Sequence, residues 1–165
     1  MPRRMACVEA QQTPGNQGNL GGSAGTSSSG AARAWPLPLA PRPLRPAPVL
    51  GLLTGNIRRG AEIKLRHFGL WPWFCLGAFG DEAEDRAAIA ALARQRGEQQ
   101  LGRTLAGQEI LVVGDTPHDI RCARAIGARV LAVATGGFSR PQLQAYKPCW
   151  LANNLAEISP QQVCA

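Results

Sequence analysis

Apolar residues fall into short blocks of two kinds along this chain, continuous runs and helically spaced stripes, and the two kinds alternate after about residue 48. Val49–Leu53, Ile110–Gly114 and residues 130–134 are continuous runs bounded by Thr, Gly or Asp. Such runs predict strands buried on both faces. Residues 58–68 carry Ala61, Leu65 and Phe68 on one helical face, and residues 86–99 do the same with Ile89, Leu92 and Ala93. Residues 74–79 predict a further short strand, followed by an acidic turn over residues 80–85. Residues 117–126 predict a helix that Gly127 ends. A weak element at residues 149–151 and a helical turn near Leu155 complete the pattern. Strands alternating with helices predict an α/β fold, a Rossmann-like parallel sheet with flanking helices.

Before residue 48 no such pattern exists. Residues 13–30 are Gly, Ser, Asn and Gln, and residues 36–48 carry proline at nearly every second or third position. The first stretch predicts a flexible coil and the second a polyproline-like spacer. Proline lacks the ladder donor, so a central strand is not expected here. The expected organisation is a disordered leader over residues 1–47 and a core domain over residues 48–165.

Composition narrows the class of function. The formal charge of +7 comes from 16 Arg and 2 Lys against 11 acidic residues, but the basic residues are scattered and form no helix face interleaved with aromatics. Nucleic acid is therefore not an expected partner. Five widely spaced cysteines, with no CxxC pair, support neither a zinc ribbon nor a disulfide framework. No apolar run approaches membrane-spanning length, and no apolar segment follows the basic N-terminus. A reduced cytoplasmic protein without membrane association is expected, and the sequence leaves oligomeric state open.

The chemistry concentrates at strand ends. In ILVVGDTPHD, residues 110–119, Gly114 lets the backbone turn and Asp115 follows at the carboxyl end of the strand. Thr116 and Pro117 suit the N-cap and first turn of the next helix, so Asp119 falls in that first turn. Two carboxylates aimed at one point suit a hard cation such as Mg²⁺; alternatively, Asp119 completes a capping interaction with Thr116. Thr54, Gly55 and Asn56 end the first strand, where a hydroxyl and adjacent amides at a helix N-terminus suit a phosphate group. The plainer alternative is that Asn56 caps the following helix. Thr135-Gly136-Gly137 ends a third strand on the same edge. His118 reads as a solvent-exposed first-turn residue.

LLTGN at residues 52–56, VVGDTPHDI at residues 112–120 and GARVLAVATGG at residues 127–137 together resemble the haloacid dehalogenase (HAD)-like hydrolase superfamily, specifically its phosphoglycolate phosphatase-like branch. The resemblance runs from about residue 49 to residue 158. It implies a Mg²⁺-dependent phosphate-monoester phosphatase acting on a small phosphorylated metabolite. It further implies that Thr54, with Gly55 and Asn56, binds the transferring phosphoryl group and that Asp115 and Asp119 hold Mg²⁺. The family also supplies a cation, usually Lys. Lys64 and Arg86 are the candidates, with Lys64 favoured; an Arg there would be a bidentate clamp rather than a point charge.

One part of the pattern is absent. The family begins catalysis with an Asp-x-Asp pair at the end of a central first strand, one Asp attacking phosphorus and the other serving as general acid and base. This chain has four aspartates, Asp81, Asp85, Asp115 and Asp119, and the only acidic residue among its first 60 is Glu9. The expectation is an incomplete HAD-type core, truncated and catalytically defective, without first strand or cap domain. Its sheet would be open along an edge and prone to aggregate. The alternative is a non-catalytic phosphate- or metal-binding or protein-interaction module.

Overall fold

The computed structural model describes residues 5–8 and 48–164. Six strands form one sheet, β1 (Met5–Val8), β2 (Val49–Leu53), β3 (Leu76–Ala78), β4 (Ile110–Gly114), β5 (Arg129–Val133) and β6 (Trp150–Ala152). Every pairing is parallel, in the order β3-β2-β1-β4-β5-β6. The helices are α1 (Arg58–His67), α2 (Arg86–Leu101), α3 (Pro117–Ala125), α4 (Arg140–Gln144) and α5 (Pro160–Cys164). The α/β reading therefore holds, with shifts of one or two residues at most element ends.

The main correction is at the N-terminus. The sheet is not missing its central strand: Met5–Val8 lies between β2 and β4, with Val8 level with Leu52 on one side and Val113 on the other. Met5 and Cys7 are 1 % exposed. Two glycines make the room. A Cβ on Gly97 of α2 would stand 2.1 Å from the Met5 sulfur, and one on Gly51 of β2 would stand 3.2 Å from the Met5 methyl. Four residues of a polar, basic N-terminus carry too short an apolar run to announce a strand, and their fit depends on glycines far away in sequence. The expectation of an open central edge falls with this strand. The rest of the expected leader, residues 9–47, lies outside the described residues.

Alternation along the strands divides the core between two faces. Met5, Cys7, Ile110, Val112, Val130 and Ala132 pack under Ile89, Ala90 and Ala93 of α2, Ile120, Cys122 and Ala123 of α3, and Leu143 of α4. On the opposite face, Leu52 and Phe79 meet Ala61 and Leu65 of α1, while Leu111, Leu131, Val133 and Ala152 meet Val163 of α5. Phe68, expected beside Ala61 and Leu65, is 71 % exposed because α1 ends at His67 and Gly69 turns the chain at φ +66°. Helix α2 runs past the expected residue 99 to Leu101, where Gly102 closes it in the left-handed conformation.

The strand-end turns are built by exchanged backbone bonds and borrowed caps. The Thr54 amide donates to the Ala78 carbonyl at 3.1 Å, and the Gly80 amide donates to the Asn56 carbonyl at 2.9 Å. A Cβ on Gly80 would stand 2.2 Å from the Gly55 carbonyl oxygen, so glycine is required for the turns after β2 and β3 to touch. Asn56 does not cap α1; Ile57 holds that position, and the Arg58 amide donates to Asp81 Oδ1 at 3.1 Å. Asp85 caps α2, accepting from the Ala88 amide at 2.7 Å.

Burial pushes the Cys7 thiol up to about 12. A thiol protonated and enclosed in this way does not react as a nucleophile. Native alkylation mapped by mass spectrometry is expected to label the exposed Cys75 and Cys149, and to spare Cys7 and Cys122 until denaturant is added. Labelling of Cys7 at the rate of Cys75 would remove β1 from the sheet.

Candidate functional site

Because all six strands are parallel, the turns after β2 and β4 open on one edge of the sheet. Three polar side chains are buried there: Thr54 at 1 %, Asp115 at 8 % and Asp119 at 1 % exposure. Burying such groups is costly unless they are bonded or serve a ligand.

Thr54 is the hub of the first turn. Its Oγ1 accepts from the Asn56 amide at 3.1 Å and from Asn56 Nδ2 at 3.0 Å. Asn56 Oδ1 in turn accepts from Lys64 Nζ at 3.5 Å. Lys64 is thus tied to the rim of this turn through Asn56.

Asp119 is held by the start of α3. Its Oδ2 accepts from both the Thr116 amide and Thr116 Oγ1 at 2.8 Å. That is the capping interaction weighed for it in the sequence. The same carboxylate has a second side: Oδ1 is buried without a hydrogen-bond partner, and Arg86 Nη1 stands 3.9 Å away. A Cβ on Gly114 would stand 2.2 Å from Asp119 Cγ, so glycine at the end of β4 makes the space the carboxylate fills.

Arg86, the first residue of α2, lies between the two turns. A Cβ on Gly55 would stand 3.0 Å from Arg86 Nη2. Its guanidinium therefore spans the floor from the β2 turn to the buried carboxylate of α3. Arg86 and Lys64 reach different parts of the site, Arg86 the carboxylate and Lys64 the rim.

The remaining candidates are peripheral. Asp81 and Asp85 are exposed and engaged at helix starts. His118 is exposed, as are Thr135, Gly136 and Gly137 after β5. Glu9, next in sequence after β1, lies outside the described residues. Sequence reasoning did not single out Glu82, which ties the β3 turn to α2. It accepts from Arg96 Nη1 and Nη2 at 2.8 Å and from the Phe79 amide at 3.0 Å. The Arg96 bonds hold its carboxyl below the usual range, helped by the Phe79 amide. Glu82 shortly before α2 and Arg96 nearly three turns into it were the available signal.

Asp115 and Asp119 offer hard oxygen donors, and among the described residues no three His, Cys, Asp or Glu side chains form a metal cluster. A two-carboxylate donor set fits Mg²⁺, which completes its shell with water and substrate oxygens, better than it fits Zn²⁺. The unbonded buried Oδ1 of Asp119 is the structural observation consistent with such an ion.

Comparison with known proteins gives three kinds of match. Residues 85–158 match the family model described as HAD-hydrolase-like. A phosphoglycolate phosphatase from Synechococcus elongatus is 29 % identical over 110 residues, covering 66 % of this chain and 49 % of that protein. Among solved structures, a haloacid dehalogenase-like family hydrolase from Streptococcus pneumoniae superposes with a TM-score of 0.60 at 24 % identity, covering 69 % of this chain and 52 % of that one. CbbY from Rhodobacter sphaeroides, solved in complex with phosphate, superposes with a TM-score of 0.61 at 20 % identity, covering 73 % and 53 %. The chain spans about half the length of these relatives. Among the described residues, no helix is long and apolar enough to cross a membrane.

Substitutions at Gly114 and Asp119 separate the roles of the carboxylate. Gly114→Ala forces the Asp119 side chain out of its seat and is expected to cost about 1–3 kcal/mol, the usual range for overpacking. Asp119→Ala, which leaves the Thr116 amide without its acceptor, is expected to cost about 0.5–2 kcal/mol, whereas Asp119→Asn keeps an acceptor and costs less. Urea unfolding of the three variants checks the order; equal losses for Asn and Ala would deny the capping role.

Proposed function

We propose, from the premise that this chain is a haloacid dehalogenase-like hydrolase of the phosphoglycolate phosphatase-like branch, that it binds a small phosphate monoester with Mg²⁺ without turning it over. The observation that carries this reading is the convergence of buried Thr54, Asp115 and Asp119 on one sheet edge, with the Arg86 guanidinium between them. In this reading Thr54, Gly55 and Asn56 receive the phosphoryl oxygens. Arg86 supplies the neutralising charge at the floor and Lys64 adds charge at the rim.

Asp115 and Asp119 would hold the Mg²⁺. Bound there, the ion would supply charge neutralisation to a phosphoryl oxygen. Asp119 would use Oδ1 for this while Oδ2 keeps its bonds to Thr116. With the ion held there, the Arg86 guanidinium beside Asp119 would be available to a phosphoryl oxygen, so metal and phosphate would favour each other's binding.

Turnover is a separate matter. An aspartyl-phosphate route needs an aspartate beside the phosphorus, and the residue after β1 is Glu9, one methylene longer. Asp81 and Asp85 are committed to the starts of α1 and α2. The expected state is therefore a binding site with a defective catalytic half. The proposed partner is a small phosphorylated metabolite, and the proposed compartment is the cytoplasm. The alternative of a protein-interaction module that borrows a central strand from a partner loses its basis, because β1 occupies that place.

Titration calorimetry with MgCl₂ and inorganic phosphate, together with Mg²⁺-dependent hydrolysis of p-nitrophenyl phosphate, tests the proposal. Saturable phosphate binding in the presence of Mg²⁺ is expected, with no Mg²⁺-dependent turnover. Arg86→Ala should weaken phosphate binding roughly 10–100-fold, the loss of a hydrogen bond to a charged group worth about 1.5–3 kcal/mol. Absence of binding would overturn the site assignment. Turnover abolished by Asp115→Asn would overturn the claim of a defective catalytic half.

A further inference from the structure

Beside β3 the fold leaves space. This strand has three residues and lies at one end of the strand order, and the 3-10 turn Trp71–Trp73 leads into it from the end of α1. Leu52, Phe79, Trp71 and Phe74 pack together under α1 without filling the volume next to this edge. A cavity of about 230 Å³ remains, bounded chiefly by those four side chains, Arg58 and Cys75. It shares no residue with the site built on Thr54, Arg86, Asp115 and Asp119.

Size and walls restrict what fits. The Trp71 and Phe79 ring centroids stand 6.5 Å apart with their planes at 32°. An apolar cavity of about 150 Å³ already takes up benzene. A volume of about 230 Å³ therefore holds one aromatic ring with room for a short polar arm.

The wall carries one charge. The Arg58 guanidinium lies 5.4 Å from the Phe79 ring centroid, and among the described residues no carboxylate forms an ion pair with it. Asp81 is engaged by the Arg58 backbone amide. Glu82 feels the Arg58 charge, but both its oxygens are bonded to Arg96. A wider cleft of about 420 Å³ shares Arg58, Leu76 and Gly77 and adds Arg96, Gln99 and Gln100. The approach is thus cationic and polar while the interior is aromatic.

One planar guanidinium facing an apolar space matches a carboxylate, which it can grip with two parallel bonds. A phosphate monoester carries a second charge, and Arg58 is the only charged side chain on this wall. We propose that this cavity binds a small aromatic carboxylate, its ring among Trp71, Phe74 and Phe79 and its carboxylate on Arg58.

Phenylacetate is the probe, and phenylacetamide, of the same shape without the charge, is its control, both on the full unaltered chain. Cys75 lies on the cavity wall and Cys149 is exposed elsewhere, just before β6, so iodoacetamide labelling read by mass spectrometry reports occupancy with an internal reference. Millimolar phenylacetate is expected to slow labelling of Cys75 several-fold and to leave Cys149 unchanged, with far less protection from phenylacetamide. Titration calorimetry should give an affinity that Arg58→Gln lowers roughly tenfold or more, the worth of a hydrogen bond to a charged group, while the far-ultraviolet circular dichroism is kept. Mg²⁺ and inorganic phosphate should not displace phenylacetate. No protection of Cys75, equal protection of Cys149 or equal protection by phenylacetamide overturns the proposal. Displacement by phosphate does so too, as does an affinity unchanged in a folded Arg58→Gln chain. The two-probe comparison in the unaltered chain decides the matter independently of how that variant folds.

Discussion

The seat of Met5 between Gly97 and Gly51 is the contact on which the rest of the sheet depends. Strand β1 is four residues long, yet it carries the ladder to β2 on one side and to β4 on the other. Each large apolar side chain buried in this way contributes roughly 1.5–3 kcal/mol, against a net stability of about 5–15 kcal/mol for a whole domain. Removing β1 would cost those side chains and would also separate the half of the sheet bearing Thr54 from the half bearing Asp115. The edge that carries both Thr54 and Asp115 exists because the two halves are held in register.

From that register the site follows with little further design. Parallel strands place every β-to-α turn on one edge, and glycines at positions 55, 80 and 114 allow the turns to close on each other and on the Asp119 carboxylate. The starts of α1 and α2 borrow their caps from the acidic turn, Asp81 for the first and Asp85 for the second. These two carboxylates are thus engaged by backbone amides at helix starts. Asp119 differs from them in being buried and only half used, one oxygen for the helix and the other facing Arg86.

Much of this was legible in the sequence for identifiable reasons. Val49–Leu53 and Ile110–Gly114 are continuous apolar runs ending in residues that break a strand, so both their identity and their polar ends could be read locally. The pairing of Asp119 with Thr116 was readable from three-residue spacing. What escaped depends on distant partners. Met5–Val8 becomes a strand because Gly97, some ninety residues on, leaves room for a methionine sulfur. The contest between Lys64 and Arg86 could not be decided from helix positions, because the relevant distances cross from α2 to α3. Periodicity points Phe68 toward the core, but α1 ends one residue too early for the periodicity to apply.

The position of Glu9 sharpens the distinction between a binding site and a catalyst. A carboxylate does follow the central strand in sequence, and it is a glutamate rather than an aspartate. Nucleophilic attack on phosphorus demands an approach in line with the leaving oxygen, and a misplacement of about 1 Å can cost a hundredfold in rate. A glutamate side chain is one methylene longer than an aspartate's, and it adds a rotatable bond to be ordered. In the proposed reading, phosphate and metal binding would tolerate such a change far better, since they would rest on charge and on Thr54, Arg86, Asp115 and Asp119. In that reading, affinity without turnover would follow from keeping those four while a glutamate stands in the sequence next after β1.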